Sequence, residues 1–139
     1  MKWRKEKDKF VIIIEAGEEI ISSLQEFAHK NDVGGGFFFG LGAVRDCVLG
    51  YYDEPAAKYL KKQITSQREI LSLLGNISLV EEKPFAHCHI QLGDAEMNAE
   101  GGHLFEGHVS PACEIMLFPS SEKIERKIVP GRQFRMIKL

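Results

Sequence analysis

Residues 69–92, EILSLLGNISLVEEKPFAHCHIQL, decide how the chain is read. Glu69 to Val80 and Phe85 to Leu92 are runs rich in β-branched and apolar residues, parted by the turn signal Lys83-Pro84. Each is short enough, and bounded closely enough by turn residues, to be a strand rather than a helix. Working outward, Phe37 to Val44, Cys47 to Asp53, Tyr59 to Ile64, His103 to Val109, Ile115 to Phe118 and Phe134 to Leu139 have the same character. Asp53-Glu54-Pro55, Gly75-Asn76 and Pro130-Gly131 punctuate them. Phe10 to Ala16 is a further buried strand, ended by Gly17.

One segment departs from this pattern. Ile20, Ile21, Leu24, Phe27 and Ala28 recur at helical spacing, with Glu18 and Glu19 at the positive end and Lys30 near the negative end. The helix stops around Asn31 and Asp32, before Gly34-Gly35-Gly36. One helix followed by many closely spaced strands predicts an α+β (mixed α/β) fold, a mainly antiparallel sheet packed with one or two helices. The second helix would fall at Glu54 to Lys62. No repeat or linker divides the chain, so residues 1–139 are expected to form a single domain.

Bulk composition bounds the function. At 139 residues the chain can bury roughly 70% of its unfolded surface and needs no staples. Its 18 basic and 20 acidic side chains leave a net charge of −2, which gives no bulk attraction to phosphate backbones or anionic lipid. Cys47, Cys88 and Cys113 are odd in number and form no CxxC pair, so a disulfide framework is not implied and the reduced cytoplasm is the expected setting. The start, MKWRKEKDKF, has charges but no long apolar run behind it, so neither a signal peptide nor a membrane span is expected.

Two motifs bear on chemistry. Gly34-Gly35-Gly36 and Gly40-Leu41-Gly42 invite a phosphate-loop reading, but Arg45 stands where a dinucleotide fingerprint needs a small residue. Tight turns and close backbone packing explain these glycines better. His87 and His89 alternate on a strand, so their rings share one face while Cys88 and Ile90 take the other.

Two imidazoles about 7 Å apart along a strand can reach one ion, and His103, at a spacing that suits a hairpin partner, completes a three-nitrogen set. Gly101 and Gly102 permit a close approach or a bulge that aims its ring. Three nitrogens around zinc leave one position for water or a ligand, although spacing does not name the metal. Plain surface histidines are the competing reading. His108 and Glu106 lie on the opposite face from His103 if that strand is regular, and His29 is a favourable charge at the helix end. Glu69, Glu106 and Glu114 are carboxylates of the type that serves as general base, each read first as a solvated strand residue.

Gly40-Leu41-Gly42-Ala43-Val44, Glu69 to Ile77, His87-Cys88-His89 and Gly101-Gly102-His103-Leu104 together resemble the plant and prokaryote conserved (PPC) domain family, whose bacterial members are labelled predicted DNA-binding proteins with a PD1-like motif. The resemblance extends over nearly the whole chain. It implies an α/β domain that assembles as a homotrimer, with His87, His89 and His103 as zinc ligands near the subunit boundary. A further ligand or base could then come from a neighbouring subunit.

The AT-hook that precedes the domain in plant members is missing here: Pro130-Gly131-Arg132 is not its core, and Lys2, Arg4, Lys5, Lys7 and Lys9 are interrupted by Glu6 and Asp8. Arg68 to Leu71 resembles part of the plant partner-binding motif, but Ser66-Gln67 departs from it. Three functions are carried forward: a metal-binding trimer with small-molecule or hydrolytic chemistry, a DNA-associated regulator, and a protein-interaction scaffold. For the last, Phe37, Phe38, Phe39, Tyr51 and Tyr52 are the aromatic cluster.

Overall fold

A computed structural model describes residues 1–132 and 134–139. The chain runs β1 (Lys2–Glu6), β2 (Lys9–Glu15), α1 (Ile20–Lys30), β3 (Gly36–Asp53), β4 (Lys58–Ile64), β5 (Arg68–Val80), β6 (Lys83–Gly93), β7 (Ala99–Pro119), β8 (Arg126–Ile128) and β9 (Arg135–Ile137). Seven strands form one sheet in the order β1-β2-β7-β6-β5-β3-β4, and β8 with β9 forms a separate ribbon. All of these pairings are antiparallel. Because β7 also pairs with β3, the strands β3, β5, β6 and β7 close on themselves, which leaves β1 and β4 as the sheet's edges.

The apolar alternation of β2 decides which way it faces: Phe10, Ile12 and Ile14 are buried while Ile13 is exposed. Helix α1 covers the same interior with Ile20, Leu24, Phe27 and Ala28. Its first turn is capped by the Glu19 carboxylate, which accepts from Ile21 N at 2.9 Å and Ser22 N at 2.7 Å. The same carboxylate accepts from Gly107 N of β7 at 3.2 Å, so the cap also anchors the helix to the sheet. One apolar cluster, including Val44, Leu73, Ile77, Leu92, Leu104 and Leu117, fills the space between.

The antiparallel sheet and the helix are as the sequence predicts, but the balance is more β than an α+β reading suggests. Among the described residues there is one helix, of 11 residues. The alternative second helix at Glu54 to Lys62 is corrected to a turn followed by β4. Asp53 accepts from Ala56 N at 3.2 Å, and Ala57 takes a left-handed φ of 50° that breaks a helix at its start.

Of the glycine-rich segment, Gly36, Gly40 and Gly42 lie inside β3, while Gly34 and Gly35 lie in the loop before it. A Cβ at Gly40 would sit 2.6 Å from Glu114 O and one at Gly42 2.2 Å from Ala112 O, so these glycines let β3 pass close to β7. All three cysteines are free and buried, and burial pushes the Cys47 thiol up to about 11 and those of Cys88 and Cys113 up to about 12. Among the described residues no helix is long and apolar enough to cross a membrane.

Candidate metal centre

Strand β6 turns Cys88 and Ile90 into the core and His87 and His89 outward. Strand β7 sets His103 directly opposite His89, with Gly102 opposite Ile90 and Gly101 opposite Gln91. The glycines act through space rather than through a bulge, since this register has no shift. A Cβ at Gly101 would lie 2.5 Å from Ile90 O, and one at Gly102 2.7 Å from Gly50 O. Their bare backbones let β7 settle between β6 and β3.

The three rings therefore meet. Their centroids are 5.4 Å apart for His87 and His89, 5.0 Å for His87 and His103, and 5.5 Å for His89 and His103. One nitrogen from each lies within 4.8 Å of the others. Nitrogens bound to a tetrahedral zinc at 2.0–2.1 Å stand about 3.3 Å apart, so a modest inward turn of the rings would close the set.

The electrostatics suit ligation. Burial, then the Arg126 guanidinium, then His89 hold the His87 imidazole down to about 4. Burial, then His87 and His89, with smaller contributions from Lys61 and Arg126, hold His103 down to about 4 as well. Both rings are neutral near pH 7, and a neutral ring keeps the lone pair that a metal needs. The Nδ1 atom of His103 is buried without a hydrogen-bond partner among the described residues, an expense that an ion or ligand would remove.

Around the rings lies a cavity of about 350 Å³ whose walls include Tyr52, Tyr59, Phe85, Phe105, Phe134, Arg126 and Arg135. Tyr59 stands 5.2 Å from the His103 ring and Phe105 4.6 Å, centroid to centroid. Arg126 reaches in from the β8–β9 ribbon. Its Nε donates to Ser78 Oγ, its Nη2 to Asn76 Oδ1 and its Nη1 to Arg135 O, each at 2.8 Å, and Nη2 also stands 3.2 Å from His87 Nδ1. Since a guanidinium only donates, His87 accepts at Nδ1 and carries its proton on Nε2. An ion at His87 would have to take Nδ1 itself or shift that proton, and in both cases Arg126 gives up the contact.

The other sequence candidates lie elsewhere. His108 pairs with Arg45 across β3 and stands 3.9 Å from Glu106, and His29 is in the last turn of α1. Glu69 faces Gly93 and Ala43, and Glu114 faces Ile13 and Leu41. Among the described residues no carboxylate lines the cavity, so none of Glu69, Glu106 and Glu114 is placed as a base beside the histidines. The residue that sequence reasoning missed is Arg126. A lone arginine in the run Glu125-Arg126-Lys127 carries no motif, and only the fold of the ribbon brings it to His87.

The model describing the Plants and Prokaryotes Conserved (PCC) domain matches residues 1–121. Among solved structures, a metal-containing protein of Archaeoglobus fulgidus is 33% identical, with a TM-score of 0.87 over 99% of this chain and 96% of that one. A plant- and prokaryote-conserved protein of Pyrococcus horikoshii is 30% identical, with a TM-score of 0.83 over 93% and 88%. A candidate DNA-binding protein of Bacteroides thetaiotaomicron is 28% identical, with a TM-score of 0.94 over 99% and 96%. No curated protein matches the chain.

Proposed function

The chain belongs to the Plants and Prokaryotes Conserved domain family, and from that premise we propose that it is a homotrimeric metal-binding domain holding zinc through His87, His89 and His103. The observation that carries the reading is the convergence of three imidazoles, with His87 and His103 kept neutral by burial and neighbouring charge. The metal-containing relative from Archaeoglobus fulgidus supports it.

Trimer formation is supported by the outer face of the sheet. Phe37, Phe39, Leu41, Leu71 and Leu74 each expose half or more of their surface there. A contiguous apolar face of this kind is typical of interaction surfaces. Leu74 pairs with His89 across β5 and β6, so the apolar face runs up to the histidines and a neighbouring copy would stand beside them. We place the protein in the cytoplasm, where buried free thiols stay reduced.

A bound zinc with one open position polarises a carbonyl or activates a water, the chemistry of hydrolysis or hydration of a small molecule. This chain's own residues would position the ion and wall off bulk water. Among the described residues the cavity lining supplies no carboxylate, so a general base would have to come from a neighbouring copy or the substrate.

The test is metal analysis of untagged protein together with its solution mass. The reading expects about one zinc per chain and a mass three times the 15.7 kDa of one chain. The double substitution His87→Ala/His89→Ala should abolish zinc and leave the trimer folded. Wild-type protein that takes up no zinc, or variants that retain it, would overturn the site.

The alternative, association with DNA, is favoured by the name of the Bacteroides relative. A net charge of −2 weighs against it. Duplex retardation that weakens steeply with added salt would support that alternative, and no retardation at low salt would end it.

A further inference from the structure

The cavity above the histidines has a charge pattern that the proposed ion does not account for. Arg126 is partly buried there, and its pKa is lowered by that burial. Among the described residues no carboxylate pairs with it. Its partners Ser78, Asn76, Arg135 O and His87 are all neutral acceptors. They satisfy four of the five N–H groups of a guanidinium and none of its charge. A second donor is also idle: the Tyr52 hydroxyl, which lines the same cavity, is buried with no hydrogen-bond partner among the described residues.

The walls between these donors are flat and apolar. Tyr52 packs edge to face on Tyr59 at 5.1 Å and on Phe134 at 5.0 Å, and the Arg126 guanidinium lies 5.6 Å from the Phe85 ring centre. A cavity of about 350 Å³ is large enough for a one-ring molecule. A hydrated inorganic anion would leave these aromatic surfaces without a partner, whereas an apolar ring would cover them.

We propose that this cavity binds a small aromatic monocarboxylate, with the carboxylate meeting Arg126 and Tyr52 and the ring held among Tyr59, Phe85 and Phe134. The inference goes beyond the zinc reading, because its charge selection comes from Arg126 and its shape selection from the rings. Arg126 and Phe134 both lie past residue 121, where the match to the family model ends. The charge selection by Arg126 therefore belongs to the C-terminal ribbon of this chain.

Calorimetric titration of the full chain, zinc-free and zinc-loaded, tests this with benzoate, benzyl alcohol, benzylamine and inorganic phosphate. Benzoate is expected to bind at least about tenfold tighter than each of the other three. Arg126→Met should weaken benzoate about tenfold or more, since a charge-assisted pair is lost. Because Arg126 also braces the ribbon, Tyr52→Phe serves as the second variant, and it should weaken benzoate several-fold with no loss of fold. Equal binding of benzoate and benzylamine, phosphate binding as tight as benzoate, or no heat at about 10 mM benzoate would overturn the inference. A chain that takes zinc and ignores benzoate would sink this proposal alone. One that binds benzoate and takes no zinc would keep it and sink the metal reading.

Discussion

His87 and His103 tie the site to the stability of the fold. In an unfolded chain each would titrate near 6.5, whereas in the folded protein both are held down to about 4. Between those values the unfolded chain binds more protons, so stability is complete above about 6.5 and is lost progressively as pH falls toward 4. The melting temperature of the metal-free protein should therefore drop across that window, and the double substitution His87→Gln/His103→Gln should flatten the drop. An unchanged slope would mean that other groups carry the acid limb. The histidines were legible in the sequence because alternation along a strand fixes which side chains share a face, whatever the rest of the fold does. Arg126 was not, because it reaches His87 across 39 positions of chain and through a separate ribbon.

The joint between β6 and β7 is where an element, rather than a residue, sets the geometry. His103 faces His89 only because Gly101 and Gly102 admit β7 so closely. Gly101→Ala would place a methyl 2.5 Å from Ile90 O and force the strands apart. It should weaken zinc binding by about tenfold or more, as expected when ligand support is lost, while helix α1 persists by circular dichroism. A different result is expected at Glu19, whose carboxylate caps α1 and holds Gly107 N. Glu19→Ala should cost about 1–2 kcal/mol by denaturant unfolding and leave zinc content unchanged. Several elements resisted sequence reading for physical reasons. Strand β1 has the edge-strand sequence KWRKE, in which charge hides the alternation. Strands β3 and β7 each look like two short strands. Their apolar pattern changes phase at the register shifts between Gly42 and Val44 and between Arg45 and Val48, although the backbone continues.

At the scale of the whole molecule, the outer apolar face and the histidines share one surface. Phe37 pairs with Asn76 and Phe39 with Leu74, while Asn76 and Leu74 pair in turn with His87 and His89. If the proposed trimer forms through this face, the double substitution Phe37→Lys/Phe39→Lys should convert it to a monomer by light scattering, because burying two unpaired charges at a subunit contact is costly. A variant that stays trimeric would move the interface elsewhere. The antiparallel, sheet-dominated architecture was legible because strand length and turn spacing are local properties. The self-closing pairing of β3, β5, β6 and β7 was not, since it depends on β7 serving two neighbours at once. Among the described residues, that closure leaves the seven-stranded sheet two edge strands, β1 with Lys2, Arg4 and Lys5 and β4 with Lys58, Lys61 and Lys62. Basic side chains along edge strands disfavour the addition of a further strand, so the ladder is guarded against growing from either side.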